Sequence, residues 1–153
     1  MDILGVGSQR DTYETLRLEA ESIFKSEADW TSPTSLKNMT NIDSTLRESA
    51  RKNPLQTRGL LKQVMPRDGI TLPDGAHVPQ GAWLGIPVEA IHRDEALYPS
   101  ALEFDALRFA RLKGEGSPRK NLDAAQPSDS YMFFSYGRSA WSVPASKSPK
   151  LSR

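Results

Sequence analysis

Apolar residues recur at helical spacing in two stretches of this chain. Leu16, Ala20 and Phe24 fall at i, i+4 and i+8, with Arg17, Glu19, Glu21 and Lys25 on the other faces, so residues 10–24 predict an amphipathic helix. Ile42, Leu46 and Ala50 repeat that spacing and predict a helix over residues 41–53 with an apolar inner face. Pro54 ends it, because the residue before a proline is pushed out of the α region. Between the two, Ser32 and Pro33 offer the N-cap and first position of a short helix, with Leu36 and Met39 toward the core.

Beyond Pro54 the period changes. Leu55–Val64 reads as extended. Ile70 and Leu72 alternate, Pro73, Asp74 and Gly75 mark a turn, and Val78 begins a return arm, so residues 69–81 predict a hairpin. Ala82–Val88 predicts a largely apolar strand, with Trp83 and Leu84 on opposite sides. Lys113–Ser130 is rich in Gly, Ser, Pro and charge and predicts a long mobile loop. Residues 1–11 read as a disordered leader and residues 141–153 as a disordered basic tail. Helices succeeded by small antiparallel units make this an α+β pattern.

Composition narrows the function. The chain has 153 residues, 37% hydrophobic and 25% charged, with a formal net charge of +1; that balance makes no electrostatic case for nucleic acid. Mean hydropathy is −0.54 and no run of about 18 apolar residues occurs, so no transmembrane span or signal peptide is expected. Gly5-x-Gly7 lacks the rest of a phosphate-loop pattern and no strand precedes it. His77 and His92 are the only histidines and lie on different elements, a poor metal set. Ser, His and Asp are not spaced as a nucleophile elbow or triad. The cysteine count is zero, which removes disulfides, thiolate catalysis and Cys-based metal sites.

Glu48 and Arg51 stand at i and i+3, a pair worth only ~0.2–0.5 kcal/mol if exposed. The order of the downstream segments gives the pair meaning: Thr57-Arg58, the hairpin, Ile91-His92-Arg93-Asp94, Tyr98-Pro99, Phe104-Asp-Ala-Leu-Arg-Phe109 and Phe134-Ser-Tyr-Gly-Arg138. This series closely resembles the C-terminal part of a fungal cytochrome P-450, a heme-thiolate monooxygenase, over residues 12–140.

The resemblance implies a partial cytochrome P-450 fold: C-terminal helices, a small hairpin sheet and a meander loop. It implies a structural triad of Glu48, Arg51 and Arg108, although Ala106 stands where the family usually has proline. It implies that Arg58 reaches a heme propionate, a task suited to a planar guanidinium fork, and that Phe134, Gly137 and Arg138 belong to the heme loop over residues 131–140. His92 opens the family's His-Arg-Asp sequence and is expected to be packed or hydrogen-bonded. Family partners are heme, O2, a small organic substrate and an NADPH-dependent reductase. Intact fungal relatives are usually anchored in the endoplasmic-reticulum membrane.

The match breaks after Ala140. Ser135 replaces a glycine, Trp141 stands at the position of the axial cysteine, and Val143 replaces the glycine beyond it. Indole offers iron no lone pair. The family segments that precede Thr12, including the helix over the oxygen-binding face, have no counterpart in these residues. The expectation is a monooxygenase fragment, inactive as given, of the secondary-metabolite type. The alternative is a non-catalytic short relative acting as an interaction or structural fragment, with Leu16, Phe24, Trp83 and Leu84 as its exposed apolar face. The isolated chain is expected to be marginally stable.

Overall fold

The computed structural model describes residues 10–114, 122–137 and 140; the Gly5-x-Gly7 stretch, Arg138, Trp141 and residues 142–153 lie outside them. The first half is helical: α1 (Arg10–Ile23), α2 (Glu27–Trp30), α3 (Pro33–Asn38) and α4 (Thr40–Lys52). Then come β1 (Gly59–Gln63), β2 (Ile70–Thr71), β3 (His77–Val78), β4 (Trp83–Ile86), α5 (Val88–His92) and α6 (Arg108–Gly114).

Helix α1 forms where the apolar spacing predicts it, with Leu16, Ala20 and Phe24 half-buried and Phe24 stacked on Trp30 at 4.2 Å. Ser32 and Pro33 open α3 in the predicted N-cap and N1 positions, though the serine side chain makes no capping bond. Met39, at the N-cap of α4, has no side chain suited to the task. Glu19 of α1 supplies it instead, accepting the Asn41 and Ile42 N–H groups at 2.8 and 2.9 Å. A carboxylate at a helix N-terminus satisfies orphan donors and meets the positive end of the dipole. That bond docks α1 on α4.

The inner face of α4 is not the one its apolar spacing predicts. Leu46 is 54% exposed, whereas Ser44, Arg47, Glu48 and Arg51 are buried. Those four recur with the same helical period, so period alone does not say which stripe faces inward. Partners remote in sequence bond each residue of the polar stripe and decide the rotation, with Arg47 Nε the one buried side-chain nitrogen or oxygen among the described residues that makes no hydrogen bond. Likewise Leu36 is exposed and Met39 only half-buried, while Ser35 is buried.

Strands β1 and β4 pair antiparallel, Lys62 opposite Leu84 and Gln63 opposite Trp83, with a bulge between Gly59 and Lys62. The predicted hairpin is β2–β3, Ile70 opposite Val78. Gly69 is required there: its φ is +69°, and an added Cβ would lie 2.3 Å from the Val78 carbonyl oxygen. The strand expected over Ala82–Val88 stops at Ile86, and Val88 is a buried residue at the start of α5.

The apolar core is small, Tyr98, Ala101, Phe109 and Leu122, with Leu97 and Leu112 packed on it. Leu122 corrects the mobile-loop expectation in part. Lys113 belongs to α6, and the described residues 122–130 are tied down: Lys113 Nζ bonds Asp43 and Asp123 at 2.8 Å each, and the Ala124 N–H bonds Asp43.

Candidate heme-bracing site

Helix α4 carries the polar stripe that organises the site. The Arg51 guanidinium lies flat against the Glu48 carboxylate, Nε to Oε2 and Nη2 to Oε1, both 2.7 Å. Glu48 Oε1 also accepts Arg108 Nε at 3.2 Å and the Asp105 N–H at 3.2 Å. The three side chains that the sequence singled out are therefore together, with Glu48 and Arg51 fully buried and Arg108 nearly so. Two guanidiniums on one buried carboxylate leave a positive excess, which backbone carbonyls meet. Arg51 Nη1 donates to His92 O, and Arg108 donates to Pro99 O at 2.5 Å, Ser100 O at 3.1 Å and Glu103 O at 3.3 Å. Such charge-assisted bonds pin residues 99–105 to the helix.

Two side chains on this stripe were missed from sequence. Ser44 donates to Ala106 O at 2.8 Å and accepts the Phe109 and Ala110 N–H groups at 3.0 Å each. It thereby caps α6 from another helix and uses the full capacity of a hydroxyl. Arg47 donates to Asp123 O and Gln126 O, with its guanidinium 3.9 Å from the Tyr131 ring centroid and 4.9 Å from that of Phe109. Burial lowers its pKa, opposed chiefly by Tyr131; two aromatic faces are suitable company for a desolvated cation. Neither residue carries a sequence signal beyond its period with Glu48 and Arg51.

His92 is buried and fully bonded, as expected. Nδ1 lies 3.2 Å from Arg51 O, and Nε2 accepts the Met132 N–H at 3.0 Å. Burial, with the charges of Arg51 and Arg47, lowers its pKa to about 4 against the backbone bond that favours protonation.

Residues 131–137 carry the predicted heme-loop positions. Phe134 meets Phe133 edge-on at 4.8 Å, and both line a cavity of about 90 Å³ together with Pro54, Leu60, Val88 and Met132. Ser135 has φ +68° and Gly137 φ +64°. A serine thus stands in the left-handed region that glycine occupies without steric cost. Gly137 is exposed, and Arg138 and Trp141 lie outside the described residues. Arg58 is exposed immediately before β1; the cavity is lined by Gln56 and Gly59 on either side of it, and by neither Arg58 nor the triad.

The donor chemistry of these residues does not fit a thiolate-ligated heme. The 153 residues contain no cysteine, and both nitrogens of His92 are engaged. Among the described residues, no cluster of three or more His, Asp or Glu side chains is arranged to hold a metal ion, and no helix is long and apolar enough to cross a membrane.

Comparison with known proteins gives the geometry its context. The cytochrome P450 family model matches residues 6–140. The chain is 60% identical over 148 residues to the cytochrome P450 monooxygenase polB of Polytolypa hystricis, covering 92% of this chain and 28% of that protein. It is 42% identical over 149 residues to the cytochrome P450 monooxygenase efuH of Hormonema carpetanum, covering 92% of this chain and 26% of that protein. The solved structure of retinoic acid-bound cyanobacterial CYP120A1 superposes with a TM-score of 0.64 at 23% identity, over 90% of this chain and 28% of that one, a likeness of fold. The chain therefore spans little more than a quarter of the length of such relatives. With a family match over most of its residues and this shared fold, the chain belongs to the cytochrome P450 family.

Proposed function

We propose that these residues form the heme-bracing part of a cytochrome P450 monooxygenase of fungal secondary metabolism, and that by themselves they do not catalyse. The buried Glu48–Arg51–Arg108 network carries this reading, since its ionic groups are committed to one another, to the His92 carbonyl and to the backbone of residues 99–105 rather than to a substrate. Names of the relatives, all monooxygenases, support the activity class for a whole protein. There, heme and O2, with electrons from an NADPH-dependent reductase, would oxidise a small organic substrate. Arg58, Phe134, Gly137 and Arg138 would support the heme, while Trp141 occupies the sequence position at which the family has its cysteine and would not ligate iron. The chain offers no thiolate for that group, so no chemical step is assigned to it.

The test is spectroscopic. Heme is added to the purified chain, reduced, and exposed to carbon monoxide. With no cysteine present, we expect no saturable heme complex and no sharp carbon monoxide Soret band of any ligand type; a stoichiometric complex with such a band overturns the proposal of an inactive brace.

A non-catalytic interaction role is the second reading. Trp83, Leu61 and Met65 are 65%, 55% and 71% exposed on and beside the β1–β4 sheet, although Leu16, Phe24 and Leu84 are half-buried. A stable monomer at high concentration would count against this role.

A further inference from the structure

The imidazole of His92, on α5, bridges the C-terminal end of α4 and the Met132 amide, beside the contact of Arg47 with the Tyr131 ring. A backbone N–H only donates, so the Met132 N–H at 3.0 Å requires a bare Nε2 on His92. The ring proton then sits on Nδ1, facing the Arg51 carbonyl at 3.2 Å. Arg51 returns the contact by donating from Nη1 to the His92 carbonyl. The ring also stacks on Tyr131, with centroids 5.5 Å apart and planes 13° from parallel. His92 is fully buried, and no other side chain among the described residues is bonded to the Met132 amide.

We propose that His92 is the positioning residue of this site, a neutral imidazole latch that fixes residues 131–135 against the C-terminal end of α4 and lets go when protonated. The proposal rests on the reading of the Glu48–Arg51 network as a brace, which it extends to the cavity wall of Met132, Phe133 and Phe134.

An imidazolium has two donors and no acceptor. Protonation keeps the bond to Arg51 O and turns the bond to Met132 into two N–H groups pointing at each other. The surroundings oppose the charge: Arg51 and Arg47 face the ring from α4, with Glu48 already committed to Arg51, and Tyr131 is the titratable group stacked on it. Residues 132–135 include the left-handed Ser135, so the latch holds a segment whose own backbone preference would move it elsewhere. Release would free the Phe133–Phe134 wall while the Glu48–Arg51 pair stays intact.

The test uses the whole chain without heme, so its failure is distinct from failure of the brace reading. Histidine ring nitrogens and backbone amides are followed by NMR from pH 7 to pH 3. Expected are the Nδ1–H tautomer of His92 at pH 7, one titration midpoint near pH 4, and loss of Met132 amide protection with that same midpoint. His92→Phe, which preserves the stacking ring, should lower Met132 protection at pH 7 by about tenfold, the loss of roughly one hydrogen bond. His92→Gln supplies an acceptor that does not titrate, and should flatten the pH dependence of Met132 protection. Random-coil ring shifts at pH 7, the opposite tautomer, a midpoint near that of free histidine, or unchanged Met132 protection in His92→Phe each overturns the latch. A Gln variant that still loses protection with the wild-type midpoint does so as well.

Discussion

The Ser44 hydroxyl accepts the Phe109 N–H at 3.0 Å, across 65 positions of sequence. The same oxygen caps Ala110 and donates to the Ala106 carbonyl. One small polar side chain in the middle of a helix therefore sets where a second helix begins. This is unusual work for a mid-helix serine, whose hydroxyl more often bonds its own helix.

Removal of that hydroxyl leaves two N–H groups without partners in a buried site, and the Ala106 carbonyl with only the Thr45 hydroxyl at 3.3 Å. Ser44→Ala should cost about 2–4 kcal/mol, on the scale of buried unsatisfied groups. Chemical denaturation with an unchanged m-value would register it. A loss below about 0.5 kcal/mol would show that water reaches the site.

Among the described residues, Glu48 carries the only carboxylate paired with Arg51 and Arg108. Glu48→Gln keeps the shape but leaves two buried guanidiniums without a counter-charge. Breaking a buried pair from one side costs about 3–5 kcal/mol, a large part of a small domain's stability. The variant should lose the cooperative change in near-ultraviolet dichroism at room temperature; a native-like signal would mean the network is wet.

Glu19 caps α4 from α1, so its loss should detach one helix from the other. Glu19→Ala is expected to cost about 1 kcal/mol or somewhat more and to raise hydrogen exchange at Asn41 and Ile42. Exchange confined to α1, with those two amides still protected, would remove Glu19 from this role.

Ser135 holds a left-handed backbone, φ +68°, that glycine adopts freely. Relief of roughly 1–2 kcal/mol of strain, less up to about 1 kcal/mol for the freer unfolded chain, leaves Ser135→Gly more stable by about 0.5–1 kcal/mol. A lower melting temperature in this variant would contradict it. Gly137→Ala, at φ +64°, should move stability the other way.

His92 makes stability depend on pH. Its folded pKa, about 4, lies below the ordinary 6.5, so between those values the unfolded chain binds the extra proton. The contribution is fully present above about pH 6.5 and is lost as pH falls through about 4. A gap of this size corresponds to about 3 kcal/mol. His92→Gln should flatten the stability profile across that window, as seen in denaturation midpoints at successive pH values.

Much of the chain was legible in its residues. Helix α1, the Ser32–Pro33 start, the helix ended by Pro54 and the Gly69–Gly81 hairpin come from local rules of period, capping and turn chemistry. The ordered series from Glu48 to Arg138 marked the family. Zero cysteines settled, from composition alone, that these residues bring no thiolate. What local rules could not supply was the side of α4 that faces inward. Ile42-Leu46-Ala50 and Ser44-Arg47-Glu48-Arg51 are both stripes of one period, and hydrophobicity favours the first. The tertiary structure chose the second, because Arg108, His92, Asp123 and the α6 amides bring it partners from 41 to 76 residues away. A buried charge is stable only where such partners converge, and convergence is a property of the folded chain.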